Sequence, residues 1–238
     1  MKTVLLIGGT DSSGGAGLTR DTVVAHDFGC FGKPVVTCVT AQTNASVQLI
    51  HQVPAPVIGA QISAAFEDRP PDVVKIGMVG SRQAADAIAN ALIHRKVPIV
   101  LDPVLRASSG GTLSEGRALQ RLIAMADLVT PNLEEAATLS CRPFADCCGE
   151  INLQAGMLRE QGARAVLVKG GHGSGDICCD HLFDKDGHRR YCMPRLRQGK
   201  RGTGCALATA LACCMAQGHD VRDACSRSKQ YLHNWIAA

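Results

Sequence analysis

Residues 199–205 carry the densest set of groups that could handle phosphate. They read GKRGTGC and stand directly before an alanine-rich segment. Glycine lets the backbone approach a ligand closely, and the first turn of a following helix points free N–H groups at an anion. Lys200 and Arg201 add positive charge beside that turn, where it would stabilise a transferring phosphoryl group. The anion-binding turn is predicted to consist of Gly202, Thr203 and Gly204.

Cys205 follows this turn and would stand at the start of the helix. Helix-terminal N–H groups and nearby cations stabilise a thiolate over a thiol, so the pKa of Cys205 is expected to fall. A thiolate there could accept the proton of a substrate hydroxyl near neutral pH. The alternative is a cysteine that merely packs in a glycine turn. The glycines and cations around Cys205 favour the catalytic interpretation.

Residues 8–17, GGTDSSGGAG, form a second glycine-rich segment that looks phosphate-binding. The interval from Gly9 to Gly14 matches a P-loop, but Gly15 and Ala16 replace the Lys and the Ser or Thr of that motif. The dinucleotide fingerprint also fails, because Arg20 occupies the position of its third glycine. Both standard nucleotide motifs are therefore disfavoured, and a tight strand-to-helix turn is the alternative.

Strand-like and helix-like segments alternate along the chain, and the glycine-rich segments lie where predicted strands end. Strands are predicted at 3–7, 35–39, 47–53, 73–78, 99–101, 128–130 and 165–168, then as an antiparallel pair at 177–183 and 188–193 turned at Asp186-Gly187. Helices are predicted at 18–28, from Pro54 or Pro56 to 66, and at 84–93, 119–125, 151–158, 204–216 and 221–235. This order is typical of a single α/β domain over residues 1–238, with a mainly parallel central sheet and helices on both faces. Ligands bind such sheets at the carboxyl ends of the strands.

Composition excludes several classes of protein. Hydrophobic residues make up 46% of the 238 residues, aromatic residues only 3%, and the formal net charge is +4. So few aromatic rings cannot build base-stacking platforms, and the charge is too scattered for a nucleic-acid footprint. No apolar run has the length of a membrane span or a signal peptide, which predicts a cytoplasmic protein. In that compartment the twelve cysteines are expected to be reduced, and most to be small buried residues.

Seven segments, in this order, resemble the ribokinase-like superfamily, and within it the hydroxymethylpyrimidine and phosphomethylpyrimidine kinases of thiamine biosynthesis. The segments are GTDSSGGAG at 9–17, TAQ at 40–42, VKIGM at 74–78, LDPV at 101–104, TPNL at 130–133, LVKGGH at 167–172 and GTGC at 202–205. They cover nearly the whole chain. The resemblance implies a ribokinase-like fold, ATP and a small pyrimidine as the molecules bound, and a homodimer.

The resemblance also implies roles for individual residues. A pyrimidine pocket would be lined by Gly9, Asp21, Gln42, Met78 and Val104. Asn132 and Glu135 would organise Mg²⁺ around the ATP phosphates, Lys169 would neutralise those phosphates, and Asp102 would shape the phosphate and metal region. From the residues alone, Asn132 and Glu135 could equally form a helix capping box. Lys169 could equally be a surface lysine at a strand end.

Two departures from the family leave alternatives open. Lys200 and Arg201 stand where the family commonly has Thr-His, and Ser108 stands where a lysine is often found. Cysteine in place of the aspartate of most ribokinase-like enzymes indicates the vitamin-kinase branch, which includes pyridoxal kinases. Pyridoxal kinase is therefore the alternative activity. A catalytically weak pyrimidine-binding or regulatory protein is a further alternative.

Overall fold

The first strand carries apolar side chains on both faces, as a sheet covered by helices on two sides requires. The computed structural model of the chain describes residues 1–105, 116–145, 147–171, 175–196 and 199–238. Strand β1 (Thr3–Gly9) is buried along its whole length. Val4 and Leu6 belong to one hydrophobic core, whereas Leu5 and Ile7 belong to another. The sheet therefore separates two cores.

The strands join into a single sheet. The remaining strands are β2 (Phe31–Gln42), β3 (Val47–Gln52), β4 (Val73–Ile76), β5 (Ile99–Leu101), β6 (Leu128–Val129), β7 (Val166–Val168), β8 (Ile177–Asp184) and β9 (Gly187–Pro194). Within the described residues the order is β3-β2-β1-β4-β5-β6-β7-β8-β9. Strands β2, β1, β4, β5, β6 and β7 run parallel. The pairs β2–β3, β7–β8 and β8–β9 are antiparallel.

Helices cover both faces of this sheet. They are α1 (Gly17–Asp27), α2 (Ala55–Asp68), α3 (Arg82–Leu92), α4 (Gln120–Met125), α5 (Leu133–Ser140), α6 (Cys148–Glu160), α7 (Thr203–Ala216) and α8 (Val221–Ala237). Helices α2 to α6 pack on the core that contains Leu5. Helices α1, α7 and α8 pack on the core that contains Leu6. Over the part of the chain that is described, none of the helices has both the length and the apolar character needed to cross a membrane.

The predicted fold class is confirmed by this topology, and two elements differ from their predictions. Strand β2 is far longer than 35–39, because it pairs with β1 near its start and with β3 near its end. Helix α5, which has eight residues, is absent from the predicted elements. The capping-box interpretation of Asn132 and Glu135 is the signal that marks its start.

The expectation of reduced, mostly buried cysteines is wrong in part. Cys179 and Cys192 form a disulfide bond. They occupy directly opposed positions on β8 and β9, so strand pairing brings their side chains together. Among the free cysteines, Cys141, Cys147 and Cys148 are exposed. The buried ones are Cys30, Cys38, Cys213, Cys214 and Cys225.

Candidate active site

The carboxyl ends of the parallel strands open onto a cavity of about 590 Å³. Every described site residue predicted from the sequence lines it: Gly9, Asp21, Gln42, Met78, Asp102, Val104, Asn132, Glu135, Lys169, Lys200, Arg201, Gly202, Thr203, Gly204 and Cys205. This is the location that a parallel sheet favours for a ligand. Ser108 and His172 lie outside the described residues. The role of each lining residue stays a prediction.

The start of helix α7 contributes backbone N–H groups to the cavity. Gly202 holds the turn before Thr203 in a left-handed conformation, with φ of +78°. A Cβ on Gly202 would also collide with the carbonyl oxygen of Gly15. Glycine is therefore needed both for the backbone conformation and for the close packing of the two glycine-rich loops. Because Gly202 has no side chain to cap the helix, the first-turn N–H groups remain suited to an anion.

A fully buried ion pair lies beneath this turn. Lys75 Nζ is 2.7 Å from Asp21 Oδ2, and each side chain is only 1% exposed. Thr209 of α7 donates a hydrogen bond of 2.7 Å to the other oxygen of Asp21. Burial lowers the pKa of Lys75, but Asp21, Cys205 and Asp102 outweigh it and the pKa is raised overall. Lys75 is thus held as an ammonium in the wall of the cavity.

These contacts give Asp21 a structural role in addition to its place in the cavity lining. Both of its carboxylate oxygens accept hydrogen bonds from protein groups, Lys75 on one and Thr209 on the other. Asp21 therefore joins α1, β4 and α7 beneath the pocket. Sequence reasoning assigned no role to Lys75, although a lysine within the apolar strand sequence VVKI was the available signal.

A second ion pair lies at the ends of β5 and β7. Lys169 Nζ is 2.7 Å from Asp102 Oδ1 and 3.9 Å from Glu135 Oε2. Thr130 donates to the same oxygen of Asp102 at 3.3 Å. Burial lowers the pKa of Lys169, but the two carboxylates outweigh it and raise the pKa. Lys169 is therefore a cation held between carboxylates in the cavity wall, with 13% of its side chain exposed, rather than the surface lysine of the alternative interpretation.

Asn132 and Glu135 form the capping box that the sequence left open. Asn132 Oδ1 accepts the backbone N–H of Glu135, and Glu135 Oε2 accepts the backbone N–H of Asn132, both at 2.8 Å. Within the described ranges no three His, Cys, Asp or Glu side chains are grouped closely enough to hold a metal ion by themselves. Mg²⁺ commonly uses one or two carboxylates together with phosphate oxygens and water. The carboxylates of Asp102 and Glu135 fit that requirement.

The expectation of an ionised Cys205 is wrong for the free protein. Burial raises the pKa of Cys205 to about 11, and the nearby carboxylates of Asp21 and Asp102 add to this effect. Lys75 and a backbone hydrogen bond from Gly17 act in the opposite direction without overcoming burial. Near neutral pH the side chain is therefore a thiol.

Lys200 contacts the last helix in this structure, and its role towards a phosphoryl group stays a prediction. Its Nζ donates to the carbonyl oxygen of Trp235 at 2.6 Å and lies 5.2 Å from the centroid of that ring. Arg20 lies over the same ring, with its guanidinium carbon 4.8 Å from the centroid. Lys200 thus joins the loop before α7 to the last helix. A cation beside an aromatic ring and a helix carbonyl is already well solvated by protein.

The side chain of Arg201 points towards the loop after β1 and the end of β2. Its Nη1 donates to Ser13 Oγ at 2.8 Å, and its Nη2 lies 3.4 Å from both Asp11 Oδ2 and Gln42 Oε1. Asp11 is an organising residue that sequence reasoning missed. It accepts the backbone N–H groups of Ser13 and Ala16 at 2.8 Å each, and so fixes the loop after β1.

Another buried cation lines the far wall of the cavity. Lys229 of α8 donates to Asp180 Oδ2 at 2.8 Å and to Cys178 Sγ at 3.3 Å. The other oxygen of Asp180 accepts the backbone N–H of Gly170 at 2.9 Å. Asp180, within the sequence of β8, was a weak signal for this pair. Nothing in the sequence of α8 singles out Lys229.

A mainly parallel sheet with paired lysines and a glycine turn around one cleft is suited to binding a phosphorylated ligand. The family model for phosphomethylpyrimidine kinase matches residues 11–238. A hydroxymethylpyrimidine/phosphomethylpyrimidine kinase of Rhizobium meliloti is 39% identical over 239 residues, covering 98% of this chain and 90% of its own length. The Escherichia coli protein of the same name is 35% identical, with the same coverage. The chain belongs to the phosphomethylpyrimidine kinase family.

Solved structures agree with this assignment and extend it to neighbouring enzymes. A phosphomethylpyrimidine kinase from Clostridium difficile matches with a TM-score of 0.86 and 32% identity, over 99% of this chain and 100% of that one. A Staphylococcus aureus pyridoxal kinase in complex with pyridoxal matches with a TM-score of 0.91 and 25% identity, over 100% and 88% of the two chains. The backbone fold therefore does not separate the two activities, whereas sequence identity favours the first.

The buried Lys75–Asp21 pair generates a stability prediction. Replacing Lys75 with Met leaves the Asp21 carboxylate buried without its cation, which should lower the free energy of unfolding by about 3 to 5 kcal/mol. Urea denaturation measures this change. Lys2→Met is the matched control, because the Lys2–Asp72 pair is exposed and should be worth about 1 kcal/mol or less. Equal effects of the two substitutions would contradict the role given to the buried pair.

The raised pKa of Cys205 generates a second prediction. Iodoacetamide reacts with thiolates, so its rate of reaction at Cys205 should still be rising between pH 9 and pH 10, because the pKa is about 11. Peptide-level mass spectrometry follows the labelling, with exposed Cys141 as an internal reference. A labelling rate at Cys205 that levels off below pH 8 would show that the thiol is already ionised there, and would contradict the raised pKa.

Proposed function

We propose that this protein is an ATP-dependent kinase that phosphorylates 4-amino-5-hydroxymethyl-2-methylpyrimidine, its monophosphate, or both, in thiamine biosynthesis. One observation carries the proposal. A single cavity joins the glycine turn at Gly202 and the cation Lys169 to a pocket that contains Gln42 and Met78. A phosphate donor and a small planar acceptor can therefore meet in line inside it. The names of the relatives support this choice of acceptor.

The acceptor would bind between the loop after β1 and the ends of β2 and β4. A Cβ on Gly9 would come within 2.8 Å of Cys38 Sγ and 3.0 Å of Met78 Sδ, so glycine keeps this wall close-packed. Met78 offers an apolar, polarisable surface for a flat ring. The amide of Gln42 can supply both a donor and an acceptor to a ring edge. Val104 also lines the cavity.

The nucleotide phosphates would bind at the start of α7. The ammonium of Lys169 lies next to Gly204, where a Cβ would be 3.4 Å from its Nζ. Lys169 can therefore reach phosphate oxygens that also meet the first-turn N–H groups. Asp102 and Glu135 would hold Mg²⁺ in this region. When bound, that ion would neutralise charge on the phosphates and help to orient them.

The reaction is an in-line transfer in which an acceptor oxygen bonds to the γ-phosphorus and the bond to the β-phosphate oxygen breaks. A hydroxymethyl acceptor must also lose its hydroxyl proton. We propose that Cys205, as a thiolate, takes that proton. A monophosphate acceptor needs no such step. The second pKa of a phosphomonoester is about 6, so the attacking oxygen is already ionised at neutral pH. Cys205 should therefore matter more for the first acceptor than for the second.

Cys205→Ala tests this division of labour. We expect kcat with the hydroxymethyl acceptor to fall by about 100-fold or more, and kcat with the monophosphate acceptor to fall far less. In the unmodified protein, kcat with the hydroxymethyl acceptor should rise with pH between 7 and 9, because the thiolate fraction grows below its pKa of about 11. Steady-state kinetics with each acceptor measures both effects. Equal losses with both acceptors would remove proton transfer from the role of Cys205.

The proposed function itself is tested by ATP consumption with three acceptors in parallel: the hydroxymethylpyrimidine, its monophosphate, and pyridoxal. Pyridoxal is the second candidate, because the fold matches a pyridoxal kinase in complex with pyridoxal at a TM-score of 0.91. We expect turnover with at least one pyrimidine to exceed turnover with pyridoxal in kcat/KM. A preference for pyridoxal would overturn the proposed substrate. A homodimeric state and a cytoplasmic location stay predictions.

A further inference from the structure

The side chain of Arg201 connects separate segments around the mouth of the acceptor pocket. Its Nη1 donates to the carbonyl oxygen of Thr43 at 2.9 Å and to Asn44 Oδ1 at 3.0 Å. Both residues belong to the turn between β2 and β3, residues 43–46, which we name the flap. The same nitrogen donates to Ser13 Oγ at 2.8 Å. The guanidinium of Arg201 therefore links the loop before α7 to the loop after β1 and to the flap.

The second nitrogen of Arg201 extends these contacts to the pocket itself. Nη2 lies 3.4 Å from Asp11 Oδ2 and 3.4 Å from Gln42 Oε1. The Asp11 side chain is 1% exposed and that of Arg201 is 20% exposed, so the ion pair is largely shielded from water. Gln42 is the residue expected to read the ring edge of the acceptor. The side-chain amide oxygen of Gln42, Oε1, is directed towards Arg201.

Among the described residues, the other hydrogen bonds of the flap lie within it or at its base. Its internal bonds are local: the N–H of Thr43 donates to the carbonyl oxygen of Ser46 at 2.9 Å, and Thr43 Oγ1 accepts the N–H of Ser46 at 3.2 Å. At its base, Ser12 Oγ exchanges hydrogen bonds with the backbone N–H and carbonyl oxygen of Gln42, at 2.8 and 2.9 Å. Residues 43–46 are exposed. The contacts from Arg201 therefore add the cross-link to the α7 side of the cleft.

The position of Arg201 in the chain makes this cross-link rigid. Arg201 directly precedes Gly202, whose left-handed backbone packs against the carbonyl oxygen of Gly15. The root of the side chain is therefore fixed by the same glycine packing that forms the anion turn. A planar guanidinium presents five N–H donors in a fixed arrangement, so it can serve several acceptors at once. A lysine ammonium at this position has three donors on a flexible stem.

We propose that Arg201 is a positioning residue for the acceptor. It holds the flap and orients Gln42 over the acceptor pocket, and so governs acceptor binding rather than the charge of the transferring phosphoryl group. This inference rests on the proposed function for the identity of the acceptor. Its structural part, the restraint of the flap, is independent of that function. Arg201 takes this role through its side-chain contacts, which differ from those expected of a phosphate-binding cation.

The test compares Arg201→Met and Arg201→Lys with a matched control, Arg121→Met. Arg121 also makes two side-chain hydrogen bonds, to Asp86 and Asn90 at 2.8 Å each, but on the surface between α3 and α4. Hydrogen exchange with mass spectrometry reports the flap in the free protein. Steady-state kinetics reports KM for the pyrimidine acceptor, KM for ATP, and kcat.

We expect Arg201→Met to speed exchange in residues 43–46 and to raise the acceptor KM by about tenfold or more, the effect of losing hydrogen bonds from a charged group. KM for ATP should change by less than about twofold, since the nucleotide site keeps its groups. Arg201→Lys should give an intermediate result. Arg121→Met should leave flap exchange and acceptor KM at parent values. If Arg201→Met does not fold, Asn44→Ala removes one of the flap contacts and should shift both readouts in the same direction.

Two results would overturn the proposal. One is unchanged exchange in the flap of Arg201→Met. The other is an effect confined to kcat or to KM for ATP, which would indicate that Arg201 acts on the phosphates. Absence of turnover by the unmodified protein with either pyrimidine would instead count against the proposed function. In that event flap exchange alone decides whether Arg201 restrains residues 43–46.

Discussion

The cleft depends on the cost of removing charged groups from water. Lys75 is buried and Lys169 is largely shielded from water at the carboxyl ends of parallel strands, and an unpaired buried charge costs several kcal/mol. Each lysine lies 2.7 Å from a carboxylate supplied by another element. These pairs therefore fix the relative positions of α1, β4, β5 and β7. Thr209 joins α7 to the first pair through its hydrogen bond to Asp21.

The charges around Lys169 and Cys205 also determine which groups the cleft can bind and ionise. Lys169 faces Asp102 and Glu135 together, so its single positive charge meets two carboxylates. The phosphate-binding end would therefore gain from a divalent cation, which neutralises carboxylates and phosphates at once. At the other end, the fixed carboxylates and the burial of Cys205 keep its side chain a thiol. The same site thus disfavours an ionised thiol. Only an acceptor with a proton to lose would need that thiolate, so the two acceptors are expected to respond differently to substitution of Cys205.

Sequence reasoning reached the fold class and the glycine turn at 202–205 from local pattern and chain order, and most other residues of the cavity from the resemblance to a kinase family. Short β-branched runs alternating with helices leave few arrangements other than a parallel sheet, and its strand ends meet at one edge. Side-chain direction was not predictable in the same way. Lys200 and Arg201 are neighbours, yet Trp235 holds one and the flap holds the other. The Cys179–Cys192 bond and the pKa of Cys205 likewise depend on contacts between distant segments.

The central claim is that the paired Lys169 recognises nucleotide phosphates. Calorimetric titration of ADP and of adenosine into the unmodified protein and Lys169→Met tests it most directly, because the two ligands differ only in their phosphates. The account predicts that the substitution weakens ADP binding by about tenfold or more and leaves adenosine binding unchanged. Unchanged ADP binding, or an equal loss for both ligands, would contradict it.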